Sequence, residues 1–215
     1  MNSFGAAIFD LDGTLLDSLD LWKNIDAEFF AGRGLVCPLD YGTAISGLSP
    51  LETAVYTKER FGFKESPEEI NAIWLKMSRD AYRYTIPLKS GAGEYLKVLK
   101  ERGIKLAVAT ALDEMTFTPA LRRLGIYDMF DAFTSLYDCD SKKESGEIYR
   151  LAASKLLSLP NDCAVFEDIP QGILGAQRQG MRAYLVYDKR NAALLRACPV
   201  RPDGVIYDFN SLLKG

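Results

Sequence analysis

From Gly91 onward the apolar positions switch repeatedly between helical spacing and short continuous runs, and this alternation limits the fold more than any other feature of the chain. It predicts helices over 92–102, 115–124, 146–158 and 171–179, with a short one near 191–197. Between them it predicts strands at 104–109, 132–134, 163–166, 183–187 and 205–207. Parallel neighbours need a crossover of helix length, so the expected fold is α/β, a mainly parallel sheet with helices on both faces. One more apolar run, Ala6-Ala7-Ile8-Phe9, predicts a buried strand near the start. The intervening stretch is helical in period: Leu19, Trp22, Ile25, Phe29 and Phe30; Leu51, Ala54, Val55, Lys58 and Phe61; Ile70, Ile73, Trp74, Met77 and Ala81. Residues 17–87 are therefore expected to form a small helical unit inserted into a core made of 1–16 and 88–215. Trp22 and Trp74 are expected in its interior.

In a sheet of this kind ligands bind at the carboxyl ends of the strands. Three of the expected strands end in reactive side chains: Asp10 after Ile8-Phe9, Thr110 after Val108-Ala109, and Glu167-Asp168 after Val165-Phe166. Each is commonplace alone, but three on one rim are hard to credit to chance. Asp10 and Asp12 are two apart, so both carboxylates should face the same space while Leu11 faces away. Gly13 then permits a tight turn, and Thr14 brings a hydroxyl close by. Two like charges at such range need a shared cation or a held proton. The loop Asp140-Ser141-Lys142-Lys143-Glu144 offers a cation, from Lys143 or, one residue earlier, Lys142.

Composition narrows the chemistry. Among 215 residues there are 26 basic and 29 acidic side chains and no histidine. The absence of histidine removes Ser-His and Cys-His nucleophile pairs and His-ligated zinc, so an enzyme of this sequence must work with carboxylates, lysines and hydroxyls. A net charge of -3 without a basic tail or stripe makes a nucleic-acid partner unexpected. Cys37, Cys139, Cys163 and Cys198 are too scattered for a zinc or redox motif and are expected to be buried free thiols. No apolar segment approaches membrane-spanning length and the start lacks a leader pattern, so a cytoplasmic protein with no membrane contact is expected. Asp10-Leu11-Asp12-Gly13 also resembles the start of a calcium loop, but the twelfth position is Leu21 and a strand precedes it. Arg122-Arg123 and Lys189-Arg190 are expected to face solvent.

In this order the set resembles the haloacid dehalogenase superfamily, most closely its branch of β-phosphoglucomutase and small sugar-phosphate phosphatases. Phe9-Asp10-Leu11-Asp12-Gly13-Thr14-Leu15 is similar to the first motif, Ala109-Thr110 to the second, Lys143 to the third and Val165-Phe166-Glu167-Asp168 to the fourth. Gly172, Ile173, Ala176, Gly180 and Met181 continue the fourth motif's helix in the usual way. The resemblance implies a Rossmann-like core with a helical cap at 17–87. It implies a magnesium-dependent phosphatase with a phosphoryl-aspartate intermediate, acting on a small phosphorylated metabolite. Asp10 would be the nucleophile and Asp12 the proton carrier. Asp168, the side chain of Asp10 and the backbone carbonyl of Asp12 would hold Mg2+, with Glu167 assisting from behind. Thr110, the N–H of Ala111 and Lys143 would bind the phosphoryl group.

Two departures matter. Lys143-Glu144-Ser145-Gly146 stands where the branch usually has Lys-Pro-x-Pro. Mutases of the branch carry a cap histidine soon after the first motif and an arginine after a Gly-x-Ser turn. Here these places hold Leu19-Asp20-Leu21-Trp22-Lys23 and Gly47-Leu48-Ser49-Pro50. Hydrolysis is thus expected over a mutase reaction; the alternatives are a sugar-phosphate mutase and a non-catalytic phosphate-binding protein. Trp22, Lys23, Ser46, Leu48 and Ser49 are the candidate substrate contacts from the cap.

Overall fold

The chain divides into two compact units, one made of Asp20–Thr85 and one of Met1–Leu19 with Ile86–Gly215. They belong to a computed structural model that describes residues 4–45, 48–139 and 141–213. The first unit is helical: α1 (Leu21–Ala31), α2 (Tyr41–Ala44), α3 (Pro50–Phe61) and α4 (Pro67–Tyr84). Both α3 and α4 begin with Ser-Pro followed by Glu at the third helical position. The serine side chain accepts the N–H of Glu52 or Glu69, and that glutamate accepts the N–H of Ser49 or Ser66 in return.

The expected helix stripes need correction. α1 buries Leu21, Ile25, Phe29 and Phe30, so its inner face starts at Leu21, and Trp22, one residue on, is 54% exposed. Trp74 is buried as expected. α3 buries Ala54 and Thr57 and leaves Leu51 and Val55 exposed. Its inner face is narrow because the Thr57 hydroxyl pairs with that of Tyr41 at 2.7 Å, which takes a polar residue inside. The rest of this interior is aromatic, with Phe30 against Phe61 and Phe29 against Trp74, and Arg33 lies 3.6 Å above the Phe29 ring.

Asp26, on α1, is half-buried, and burial pushes its carboxyl from 3.8 to about 6. The folded protein therefore holds this proton to higher pH than the unfolded chain, and its stabilising share fades as pH rises from 3.8 through about 6. Asp26→Asn removes that loss. Its melting temperature is expected to gain on the wild type between pH 4 and pH 7.5, and a gap that stays constant across this range would contradict the assignment.

In the second unit β1 (Ala6–Phe9), β2 (Lys105–Thr110), β3 (Ala132–Ser135), β4 (Cys163–Glu167), β5 (Arg182–Val186) and β6 (Gly204–Ile206) form one sheet. All pairings are parallel and the order is β3-β2-β1-β4-β5-β6. The helices are α5 (Ala92–Glu101), α6 (Glu114–Arg123), α7 (Glu147–Lys155), α8 (Pro170–Arg178) and α9 (Ala192–Ala197). Boundaries move by up to three residues from the expected ones, and the element order is the expected one. On one face Ile8, Ala107, Val165 and Ala183 pack with Ile148, Tyr149 and Ala152 of α7 and Ile173 and Ala176 of α8. On the other, Phe9 stacks on Phe166 at 4.4 Å and Tyr95 of α5 meets both rings. Burial on both faces is why these strands are continuous apolar runs rather than alternating ones.

All four cysteines are free, but only Cys163 is buried; Cys37, Cys139 and Cys198 are half-buried. Among the described residues no helix is long and apolar enough to cross a membrane.

Candidate active site

Strand order reverses between β1 and β4, and this is where the acidic residues meet. Phe9 is level with Phe166, and the N–H of Asp10 donates to the Phe166 carbonyl at 3.1 Å, so Asp10 and Glu167-Asp168 leave adjacent strands side by side. Asp10, Glu167 and Asp168 are all buried, and each offers an oxygen within 4.8 Å of the others. A cavity of about 420 Å³ opens beside them, with Asp10, Asp12, Asp168, Ala111 and Lys143 in its wall. Leu11 is fully buried, as the two-residue period requires.

Lys143 is buried, and its Nζ donates to Asp10 Oδ1 and Glu167 Oε1, both at 2.5 Å. Lys142 is exposed at the same cavity. The loop that carries them makes a 3-10 turn, Lys143–Ser145, pressed onto α8. A Cβ on Gly175 would strike the Lys143 carbonyl, and one on Gly146 would strike the Gly175 carbonyl. Two glycines in contact thus seat the lysine without the prolines of the usual motif. Gly13 has φ +70°, and a Cβ there would run into the Asp168 carboxylate. The turn after Asp12 needs glycine both for its backbone angle and to admit Asp168.

Glu167 has no exposed surface, and its oxygens are fully engaged. Oε1 accepts Lys143 and the Tyr149 hydroxyl, the latter at 2.7 Å, while Oε2 accepts the N–H groups of Asp168 and Ile169. Asp12 Oδ1 accepts the Ser18 hydroxyl at 2.6 Å. Asp168 Oδ2 accepts the Asn191 amide at 2.5 Å. Thr110 is fully buried with its Oγ1 accepting the N–H of Leu112, so the cavity wall is Ala111. Ser141 lines the cavity too, and its buried Oγ has no hydrogen-bond partner among the described residues.

Burial drives the electrostatics. It pushes the Asp10 carboxyl well above the ordinary range; Lys143 opposes this, but Glu167, Asp168 and Asp12 add to it. Asp168 is pushed up to about 7 by burial and by Glu167, against the pull of Lys143 and the Asn191 amide. For Lys143 burial disfavours the charge, yet Asp10 and Glu167 outweigh it and hold its pKa above the usual lysine value. Three buried carboxylates share one ammonium, which leaves surplus negative charge among hard oxygen donors. Those donors, with Gly13 giving Asp168 room, fit a small divalent cation.

Asn191, Tyr149 and Ser18 are absent from the residues that sequence reasoning selects. Ser18 is close to the first motif and could have been found by its spacing. Tyr149 sits in a predicted helix and Asn191 in a turn, and neither carries a local sign of its partner. Arg122, Arg123, Lys189 and Arg190 are exposed as expected, and Arg190 also pairs with Asp17 at 2.5 Å and Asp188 at 2.6 Å. Arg122 lies over the Tyr127 ring and Arg123 donates to the Ile86 carbonyl. Of the cap candidates, Trp22, Lys23 and Leu48 are exposed and Ser49 caps α3. Ser46 lies outside the described residues.

Residues 7–186 match the family model described as haloacid dehalogenase-like hydrolase. YhcW of Bacillus subtilis is 32% identical over 196 residues, 88% of this chain and 86% of its own length. A phosphorylated carbohydrates phosphatase of Thermotoga maritima is 28% identical over 97% of this chain and 99% of its own. A crystal structure from Thermotoga maritima assigned to β-phosphoglucomutase superposes with a TM-score of 0.84 at 26% identity, covering 97% of this chain and 98% of that one. The strand-end acids, the buried lysine between them and these matches agree: the chain belongs to the haloacid dehalogenase-like hydrolases, in the branch of phosphatases and β-phosphoglucomutase-like proteins.

Proposed function

We propose that the protein is a magnesium-dependent phosphomonoesterase acting on a small phosphorylated metabolite, a sugar or polyol phosphate, through a phosphoryl-aspartate intermediate. One observation carries the reading: Asp10 lies in a buried group of three carboxylates and one lysine at the edge of an open cavity. In the first half-reaction an Asp10 oxygen attacks phosphorus, and the bond from phosphorus to the substrate oxygen breaks. Asp12, as the acid, gives its proton to that leaving oxygen. In the second, the Asp12 carboxylate takes a proton from water, whose oxygen attacks phosphorus. The bond to Asp10 then breaks and inorganic phosphate leaves.

Lys143 and the N–H of Ala111 hold the phosphoryl oxygens, since phosphoryl transfer depends on positioned charge, and the Thr110 hydroxyl, buried behind Ala111 with its oxygen accepting the N–H of Leu112, keeps its own hydrogen to give to the same group. Asp10, Asp168 and the carbonyl of Asp12 would hold Mg2+, which supplies positive charge for an anionic substrate meeting an anionic nucleophile. Glu167 keeps Lys143 in place. The helical unit, expected at 17–87 and compact over Asp20–Thr85, is proposed to serve as the cap that selects the substrate, with the other unit, expected as 1–16 and 88–215, as the catalytic core. Pro50 favours water over a second sugar phosphate as acceptor, because it opens α3 and leaves no cationic side chain where the mutases keep an arginine.

The test is a panel of sugar and polyol phosphates with and without MgCl2. Phosphate release that requires the metal and stops with EDTA is expected. Conversion of glucose 1-phosphate to glucose 6-phosphate faster than phosphate release would overturn hydrolysis as the main reaction.

A further inference from the structure

We infer that Asn191 is a positioning residue that holds Asp168 in a one-oxygen presentation and so sets the preference of the site for Mg2+ over Ca2+. The inference rests on the proposed metal site of Asp10 and Asp168. The Asn191 Nδ2 donates to Asp168 Oδ2 at 2.5 Å and lies 3.4 Å from the Asp168 carbonyl oxygen. Among the described residues Asp168 Oδ1 accepts no hydrogen bond. One carboxylate oxygen is thus covered by an amide donor and the other is left open. Asn191 belongs to the same cavity wall as Asp10, Asp12 and Asp168.

The amide is held by its turn. The N–H of Asn191 donates to the Asp188 carbonyl at 3.0 Å, and the Asp188 carboxylate receives Lys89 at 2.9 Å, the N–H of Arg190 at 3.0 Å and the Arg190 guanidinium at 2.6 Å. Arg190 reaches on to Asp17. Lys89 and Asp17 lie beside the antiparallel bridge between Leu16 and Leu88, so the turn is bolted to two other segments of its unit. Ordering the Asn191 side chain therefore costs little further entropy.

The consequence for the cation follows from ligand geometry. Mg2+ takes near-octahedral ligands at about 2.0–2.1 Å, which suits single carboxylate oxygens, whereas Ca2+ at about 2.3–2.6 Å readily accepts both oxygens of one carboxylate. An amide hydrogen against Oδ2 blocks the second mode and steadies the first. Without it Asp168 is free to turn both oxygens inward. Partners that orient metal ligands are typically worth about 10- to 100-fold in metal affinity.

Calorimetric titration of the metal-free full chain with MgCl2 and with CaCl2 reads this without any turnover. Asn191→Ala is expected to weaken Mg2+ binding about tenfold or more while Ca2+ binding changes much less, so the Mg2+/Ca2+ affinity ratio falls. Should Asn191→Ala fail to fold by circular dichroism, Asn191→Ser, which shortens the donor with the least loss of packing, is read by the same ratio. An unchanged ratio, whether both affinities hold or both fall together, overturns the inference. Asp168→Ala separates it from the reading beneath: if the wild type fails to bind Mg2+, or Asp168→Ala binds it as the wild type does, the proposed metal site itself fails.

Discussion

Asp10→Asn is expected to lower phosphate release on the order of 10⁴-fold, the scale of losing a covalent nucleophile, while leaving the fold intact. The amide has the shape of the carboxylate and keeps an oxygen able to accept Lys143, so the contact at 2.5 Å has a neutral replacement. What it lacks is charge and nucleophilicity. Stability should move the other way. Burial and the neighbouring acids already disfavour the ionised Asp10, so the variant is expected to melt at or above the wild-type temperature in EDTA. Retained turnover would move the nucleophile elsewhere. A variant that is both dead and poorly folded would show that Asp10 matters to the core as well as to the chemistry.

Lys143→Met is expected to cost about 3–5 kcal/mol in metal-free protein, because it leaves Asp10, Glu167 and Asp168 buried with no ammonium between them. Methionine has nearly the same length, so the loss reports charge rather than a cavity. Urea denaturation in EDTA measures it, and millimolar MgCl2 should restore part of the difference by supplying positive charge to the same oxygens. Phosphate release should fall as well, since the phosphoryl group loses a donor. Lys142→Met is the control: Lys142 is exposed and should stay within about 0.5 kcal/mol of the wild type. Equal effects at the two lysines would mean that the buried ammonium does not neutralise the cluster.

The core of the site was legible because it is local. Asp10 and Asp12 follow an apolar run at a two-residue interval, and Glu167-Asp168 ends another such run. Their meeting needs only a parallel sheet, and the helix–strand alternation already required one. Spacing alone did not choose between Lys142 and Lys143, since a loop has no period; the family resemblance pointed to Lys143, the lysine that reaches Asp10 and Glu167. The choice depends on two glycines, Gly146 and Gly175, that are far apart in the chain and touch only after folding. Trp22 misled for a related reason. Helical spacing fixes which residues share a face, and a stripe shifted by one residue to Leu21 satisfies the same spacing.

The sequence by itself determined the α/β class, the strand ends that carry acids, the helical insertion and a chemistry without histidine, because these rest on short-range period, composition and residue type. Tertiary structure decided which groups engage which. Tyr149 reaches Glu167 across 18 positions, Asn191 reaches Asp168 across 23 and Lys143 reaches Asp10 across 133. A hydrogen bond lasts only over about 3 Å. Which donor comes that close to a buried carboxylate is set by the packing of the whole sheet and its helices.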